Sequence, residues 1–257
     1  MSLSPMVARL IGPPEADGEY IALRSEGSEE EIVHLHDYER IYATPGLYEQ
    51  VVQDLLECRS PQTAVDGLAR ALTGLGIDPN EIALLDLGAG TGIVGELATE
   101  LGVRTLIGID SLEAARTACL RDRASLYDDY LIGDLAAPSP ELRARLRRHR
   151  PTALISAGAL GGTHAPPAAL RGAIALLPAG APVVFTIDEK WMQTDGPGGF
   201  RTAMTELLTS GTLRLRERSR FQHRLSTAGP PIHYELVVAA AQPPMSACSA
   251  VSTPSTG

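Results

Sequence analysis

The sequence predicts an α/β fold: a mostly parallel sheet with helices on both faces, closed by an antiparallel C-terminal hairpin and preceded by an N-terminal helical cap. Three observations predict it. After Pro79 short apolar runs alternate with helix-periodic ones, which is the pattern of a parallel sheet covered on both sides. A glycine-rich turn, Gly88 to Gly92, joins the first of those runs to the first of those helices. The end of the chain changes character, with two long extended segments joined by Ala228, Gly229, Pro230 and Pro231.

Taken in order, residues 1–33 are rich in Gly, Pro and Glu and carry the acidic run Glu29, Glu30, Glu31, so they are expected to form a loosely held tail or an edge element. Residues 34–80 form the expected helical cap. Within it, Leu47, Val51, Val52, Leu55 and Leu56 give a helical period over 45–57, opened by Thr44 and Pro45. A second helix over 61–75 has Ala64, Val65, Leu68, Ala71 and Leu72 on one face and ends at glycine. The main domain, 81–242, has strands expected over 82–87, 104–109, 130–133, 152–157 and 182–187. Helices are expected between them over 92–101, 112–123, 140–149 and 166–177. A further helix over 199–209 leads into the hairpin, 212–225 and 232–241. Residues 243–257 are Pro-, Ser- and Thr-rich and read as a disordered tail.

Composition narrows the function. A chain of 257 residues with 44% hydrophobic content buries one sizeable core. Its net charge of -9 argues against nucleic acid, which is usually held by a basic face that releases counterions. Of the 22 basic side chains only Lys190 is lysine, a mark of codon bias. Cys58, Cys119 and Cys248 are odd in number and widely spaced, so neither a disulfide framework nor a zinc site is indicated. His34 and His36 lie near Asp37 and Glu39 without the i, i+4 histidine pair of a helical metal site, and no metal is expected. No secretory signal or membrane-spanning segment is legible, and a cytoplasmic location is expected.

The glycine turn carries the strongest chemical signal. Leu84, Leu85, Asp86 and Leu87 form an apolar strand, and Gly88, Ala89, Gly90, Thr91 and Gly92 open the next helix, where glycines let a backbone approach a ligand closely. The nicotinamide fingerprint starts with a glycine at the strand end, and in that register its sixth position is Ile93 instead of glycine. The run resembles instead the D-x-G-x-G-x-G motif of class I methyltransferases, which bind S-adenosylmethionine (SAM) on a Rossmann-like sheet. That resemblance implies that Asp86 helps to hold the methionine end of SAM. Asp110 ends the second strand twenty residues after Gly90, where a carboxylate accepts the ribose hydroxyls. Asp134 ends the third strand, the position that in this class contacts the adenine amino group. Ala89, Ser111, Leu135 and Ala157 complete the expected cofactor set. A tight turn, for the glycines, and helix caps, for the two aspartates, are the plainer alternatives.

Four further stretches resemble the Williams-Beuren-region methyltransferase-like family. They are residues 36–42 with Tyr38 and Tyr42, residues 125–130 with Tyr127 and Tyr130, the glycine-rich 158–162, and 221–225 with His223. The resemblance covers about residues 34–241. It implies a SAM-dependent enzyme and places Tyr38 and Tyr42 over the cofactor, although packing of an amphipathic helix also accounts for these tyrosines. The proline pair Pro166 and Pro167 is flanked by Ala165 and Ala168, so it lacks the polar residue and the aromatic platform of enzymes that methylate base amino groups. A small molecule is the expected acceptor.

His164 follows the fourth strand at the carboxyl edge, where ligands sit in open α/β sheets, and it is the expected general base; a loop histidine bonded to backbone is the alternative. Glu189, Trp191 and Met192 follow the fifth strand and are expected to line the acceptor pocket. His223 and His233, on the hairpin, are expected to be structural. Other functions stay open at this point: a SAM-binding module, a cyclase that keeps the cofactor intact, or a nicotinamide oxidoreductase.

Overall fold

The alternation of apolar and amphipathic runs folds into one seven-stranded sheet with helices on both sides. The computed structural model describes residues 7–11, 18–24, 29–162, 164–195 and 199–242. Three short strands come first, β1 (Val7–Ile11), β2 (Tyr20–Arg24) and β3 (Glu31–His34), followed by α1 (Tyr38–Tyr42), α2 (Leu47–Glu49) and α3 (Ser60–Leu75). The main domain then runs β4 (Ala83–Leu87), α4 (Ile93–Leu101), β5 (Thr105–Asp110), α5 (Glu113–Asp122), β6 (Asp129–Ile132) and α6 (Pro140–His149). It continues with β7 (Ala153–Leu160), α7 (Pro167–Ile174), β8 (Pro182–Asp188), α8 (Glu189–Gln193), α9 (Phe200–Thr209), β9 (Leu213–Leu225) and β10 (Pro231–Ala241). The expected tail at 243–257 lies outside the described residues.

The strand order is β6-β5-β4-β7-β8-β10-β9. Strands β4 to β8 are parallel, and β10 runs antiparallel to both of its neighbours, as the hairpin predicts. The chain moves outward from β4 to β6, then crosses over to β7 and moves the other way. The order therefore reverses between β4 and β7, and a crevice opens there at the carboxyl ends of the strands. The inner strands are mostly apolar because both faces are covered. One face packs Leu85, Ile107, Leu154, Val183 and Phe185 under α7 and α9; the other packs Leu84, Leu106, Ile155 and Val184 under α3 and α4.

Where Gly, Pro and Glu predict a loosely held tail or an edge element, β1, β2 and β3 form a separate three-stranded antiparallel sheet. Ile21, Leu23 and Val33 are buried with Leu47, Val51 and Leu56 from the cap, which gives this sheet one covered face. The single helix expected over 45–57 is also different. It starts at Leu47, behind Gly46 in a left-handed conformation, and widens to a π-helix over Gln50–Leu55. The chain leaves it at Glu57, at φ 54.

A buried ion pair ties this N-terminal unit to the hairpin. Glu19 accepts both guanidinium arms of Arg224 and the backbone N–H of Thr227. Burial alone would raise the Glu19 carboxyl, but Arg224 and Thr227 outweigh it and hold the group below its ordinary value. A carboxylate lowered in the fold stabilises fully above its unfolded pKa and loses that contribution as pH falls through the folded value. Glu19→Ala is expected to lower stability at pH 7 by about 1–3 kcal/mol, less than the ~3–5 kcal/mol of a fully buried pair, because both side chains keep some solvent contact. The deficit relative to wild type should shrink below pH 4 in urea titrations, and an unchanged deficit at pH 3 would assign the loss to packing.

Candidate active site

A cavity of about 580 Å³ occupies the crevice between β4 and β7. Its floor is made of strand ends and the turns that follow them: Leu87 and Gly88, Ile109 to Leu112, Gly133 to Leu135, and Ala157 to Ala159. Tyr38, Tyr42 and Tyr48 from the cap, with His36 and His164, form the opposite wall. Of the expected cofactor set, Gly88, Asp110, Ser111, Asp134, Leu135 and Ala157 line this space, and so do Tyr38, Tyr42 and His164.

The glycine loop has its shape for identifiable reasons. Gly88, Gly90 and Gly92 all have positive φ, of 77°, 53° and 94°. Gly88 and Ala89 both donate to the Ile109 carbonyl, and a Cβ on Gly88 would overlap that of Ala159. A Cβ on Gly90 would meet the Tyr42 hydroxyl at 3.2 Å, and one on Gly92 would press on Cys119 and Leu126. Gly92 thus shapes the loop from behind, Gly90 faces Tyr42 of the cap, and neither is among the residues that line the cavity. Ala89 likewise is buried, packed with Cys119 and Tyr130.

Asp86 is a correction. It is fully buried below the loop and does not face the cavity. Its Oδ2 accepts from the Tyr127 hydroxyl at 2.7 Å, while Oδ1 has no partner among the described residues. Burial pushes this carboxyl up to about 7, the hydrogen bond from Tyr127 only partly opposing it. Its place is under the loop, away from the residues that line the cavity. Tyr130 completes this support by donating to the Gly90 carbonyl at 2.7 Å. The two tyrosines stand at the sequence stretch 125–130, whose role is legible only once β6 is seen beside β5.

Asp110 reaches both elements around it. Its Oδ2 accepts from the Gly90 N–H and its Oδ1 from the Leu112 N–H, each at 3.0 Å. Each oxygen keeps a second lone pair on the cavity side, where a ribose hydroxyl can donate. Asp134 is at once the turn cap and a wall residue, accepting from the Ala136 N–H at 2.7 Å.

The wall across from the loop holds a pair that the sequence could not bring together. The Tyr38 hydroxyl lies 2.9 Å from Nε2 of His164, across 126 residues of chain. Burial lowers the His164 imidazole below its ordinary value, with a hydrogen bond to the Gly161 backbone partly opposing it. Burial also holds the Tyr38 hydroxyl up, at about 12. At neutral pH both groups are uncharged. Tyr38 donates to Nε2, and the tyrosine oxygen keeps a lone pair for a donor in the cavity. Tyr38 and His164 thus both line the cavity and are joined by one hydrogen bond.

Strand β7 is longer than expected and irregular. Its pairing with β8 shifts register between Ser156 and Leu160, Gly158 adopts φ 68°, and the Gly158 N–H donates to the Thr186 hydroxyl at 2.9 Å. This bulge turns Ala157, Gly158 and Ala159 into cavity wall. Glu189, Trp191 and Met192 are the second correction, since none of them lines the cavity. Glu189 is paired with Arg220 at 2.6 Å, and Trp191 and Met192 pack on the main core, where Trp191 backs Gly161 and Gly162. Asp188, the last residue of β8, caps helix α8 by accepting from the Lys190 N–H, and the helix sets Trp191 and Met192 onto the core. His223 was expected to be structural and is buried, with Nδ1 2.6 Å from the Ser60 hydroxyl and its ring stacked on Tyr234.

Among the described residues no cluster of three or more His, Cys, Asp or Glu is arranged to hold a metal ion, and no helix is long and apolar enough to cross a membrane.

The fold is that of the Rossmann-like methyltransferases. No protein-family model matches the chain, and no curated protein matches it by sequence. Solved structures do match by shape. The N-methyltransferase NodS from Bradyrhizobium japonicum, solved with S-adenosylhomocysteine, superimposes with a TM-score of 0.53 over 80% of this chain and 97% of its own, at 15% identity. A Pyrococcus horikoshii protein that carries a provisional RNA-methyltransferase name superimposes with a TM-score of 0.50 over 72% of this chain and 87% of its own, at 19% identity.

Proposed function

We propose that the protein is a SAM-dependent methyltransferase that acts on an oxygen, nitrogen or sulfur of a small metabolite. The observation that carries this reading is the cavity itself. It has room for a nucleoside-sized ligand, and the residues at its floor suit the parts of SAM in turn: close backbone approach at Gly88, a ribose acceptor at Asp110 and a polar group beyond it at Asp134. SAM supplies a methyl group already activated on a sulfonium, so the chain's task is to align the acceptor and take its proton. An acceptor's proton would pass to the Tyr38 oxygen as the tyrosine proton passes to Nε2 of His164, leaving the acceptor free to take the methyl group that bound SAM would supply.

The acidic net charge and the cover that the cap places over the cavity favour a small acceptor over nucleic acid. The reading extends to kinship with the Williams-Beuren-region methyltransferase-like family. It is supported by the work that two of the resembling stretches do here, Tyr38 and Tyr42 as cavity wall and Tyr127 and Tyr130 as loop support.

Calorimetric titration tests the cofactor. SAM and S-adenosylhomocysteine should bind one per chain, and NAD should not; NAD binding without SAM binding would turn the reading to an oxidoreductase. Asp110→Ala is expected to weaken SAM by roughly 10- to 150-fold, the range of the ~1.5–3 kcal/mol for hydrogen bonds to a charged group. An analogue lacking the ribose hydroxyls should lose little further affinity in that variant, and an equal further loss would place the ribose elsewhere. Incubation of metabolite extracts with isotope-labelled SAM then identifies the acceptor by the label it gains, with S-adenosylhomocysteine accumulating alongside. Labelled SAM recovered intact from every extract would leave a binding module.

A further inference from the structure

A second, smaller cavity of about 70 Å³ lies behind the Tyr38 and His164 pair, and nothing in the cofactor reading uses it. It shares six wall residues with the larger one: His36, Tyr38, Tyr48, Ala157, Gly158 and His164. Its far wall comes from three separate parts of the chain, Cys58 and Ser60 at the start of α3, Val52 and Leu56 from the π-helix, and His223, Arg224 and Tyr234 from the hairpin. We propose that this cavity is the acceptor subsite, and that it takes the reacting end of a small uncharged compound bearing a hydroxyl group. The proposal rests on the methyltransferase reading and adds to it the position and chemical class of the acceptor.

Three features support it. The first is placement: the wall shared by the two cavities contains the hydrogen-bonded Tyr38 and His164 pair, which can receive a proton, so a hydroxyl entering from the large cavity meets Tyr38 at the boundary between them. The second is charge. Burial lowers the His36 imidazole to about 4 and the His223 imidazole to about 3, with the neighbouring His164 and Arg224 adding to the effect, and burial raises the Cys58 thiol. Burial likewise keeps the hydroxyls of Tyr48 and Tyr234 protonated. The sole cation on the wall, Arg224, is already neutralised by Glu19. A carboxylate or an ammonium entering this space gives up its hydration and meets no counter-charge. The third is the hydrogen-bonding sense. With its proton directed at His164, the Tyr38 oxygen offers a lone pair, which an acceptor O–H satisfies. The volume is about half of the ~150 Å³ that holds benzene, so only the reacting end enters and the remainder extends into the larger cavity.

Phenol is the probe, with benzoate and benzylamine as anionic and cationic counterparts of similar size, each titrated against the full chain and followed by NMR. Phenol is expected to bind at least about tenfold more tightly than either charged compound, as the uncompensated burial of a charge requires. Its ring protons should show intermolecular NOEs to the imidazole protons of His223 and His36. Cys58→Phe, which fills the small cavity, should abolish phenol binding while leaving SAM affinity within about threefold of wild type, since Cys58 does not line the larger cavity. Should that variant unfold, the NOEs on the wild-type chain decide alone. Equal binding of benzoate or benzylamine, phenol NOEs that avoid His223, or undiminished phenol binding in folded Cys58→Phe would each overturn the proposal. Because phenol is titrated without SAM, failure of the wild-type chain to bind SAM would count against the methyltransferase reading separately.

Discussion

Gly88→Ala should be the most damaging single substitution in the cofactor loop, lowering stability by about 2–5 kcal/mol and removing measurable SAM binding. Two costs combine. The residue holds φ 77°, a left-handed conformation that costs an L-residue roughly 1–2 kcal/mol. The added Cβ also overlaps that of Ala159, and overpacking of this kind typically costs about 1–3 kcal/mol. Neither side can yield cheaply, because the loop is held to β5 through the Ile109 carbonyl and Ala159 sits on the bulge of β7, two residues before Gly161 and its Trp191 backing. Urea unfolding gives the stability and calorimetry gives the affinity. Gly90→Ala is the useful contrast: it carries the same left-handed backbone cost at φ 53°, but its Cβ would meet the Tyr42 hydroxyl at 3.2 Å instead of overlapping another Cβ. It should remain folded and weaken SAM far less. A Gly88→Ala variant with wild-type stability would show that the close approach of β7 to the loop is not present in solution.

The second large effect is expected on turnover. Tyr38→Phe and His164→Ala should each slow methyl transfer to an identified acceptor by about 10²- to 10⁴-fold, the usual worth of positioned acid–base groups. Because the two act through one hydrogen bond, the double variant should be scarcely slower than the worse single one. SAM affinity should stay close to wild type in all three. The pH profile supplies an independent reading. Burial lowers the His164 imidazole, so it stays neutral and able to take a proton to below pH 6.5, and the acid limb of the wild-type profile should fall below that value. In His164→Ala that limb should flatten. Multiplicative losses in the double variant, or an acid limb unchanged by His164→Ala, would separate the two residues and remove the proton relay.

The elements of the main sheet were legible because their signals are local. An apolar run bounded by turns, such as Leu84 to Leu87, needs no distant partner to be recognised as a buried strand. Glycines after it announce a backbone that approaches something closely. Asp110 and Asp134 were placed by the same logic, since each stands at the end of a strand whose direction the alternation already fixes. Asp86 satisfied the same pattern yet lies beneath the loop, because side chains alternate along a strand and a position near its end faces ligand or core according to which neighbour covers it. Trp191 and Met192 failed for a related reason: the chain after β8 turns directly into α8, and that turn carries them onto the core.

What the sequence determined by itself was the order of strands and helices in the main domain, the antiparallel ending and a tight glycine turn at Gly88 to Gly92, all of which rest on spacing within about ten residues. Tertiary structure alone decided which distant groups meet: Tyr38 with His164, Tyr127 with Asp86, Glu19 with Arg224, and Cys58 and Ser60 with His223. It also decided that β1, β2 and β3 pair into a sheet, since strands of four or five residues whose hydrogen bonds are completed only by one another are too short to be read singly. The physical reason is the same throughout. Local periodicity fixes what a segment is, whereas hydrogen-bond partners and burial are properties of the packed chain.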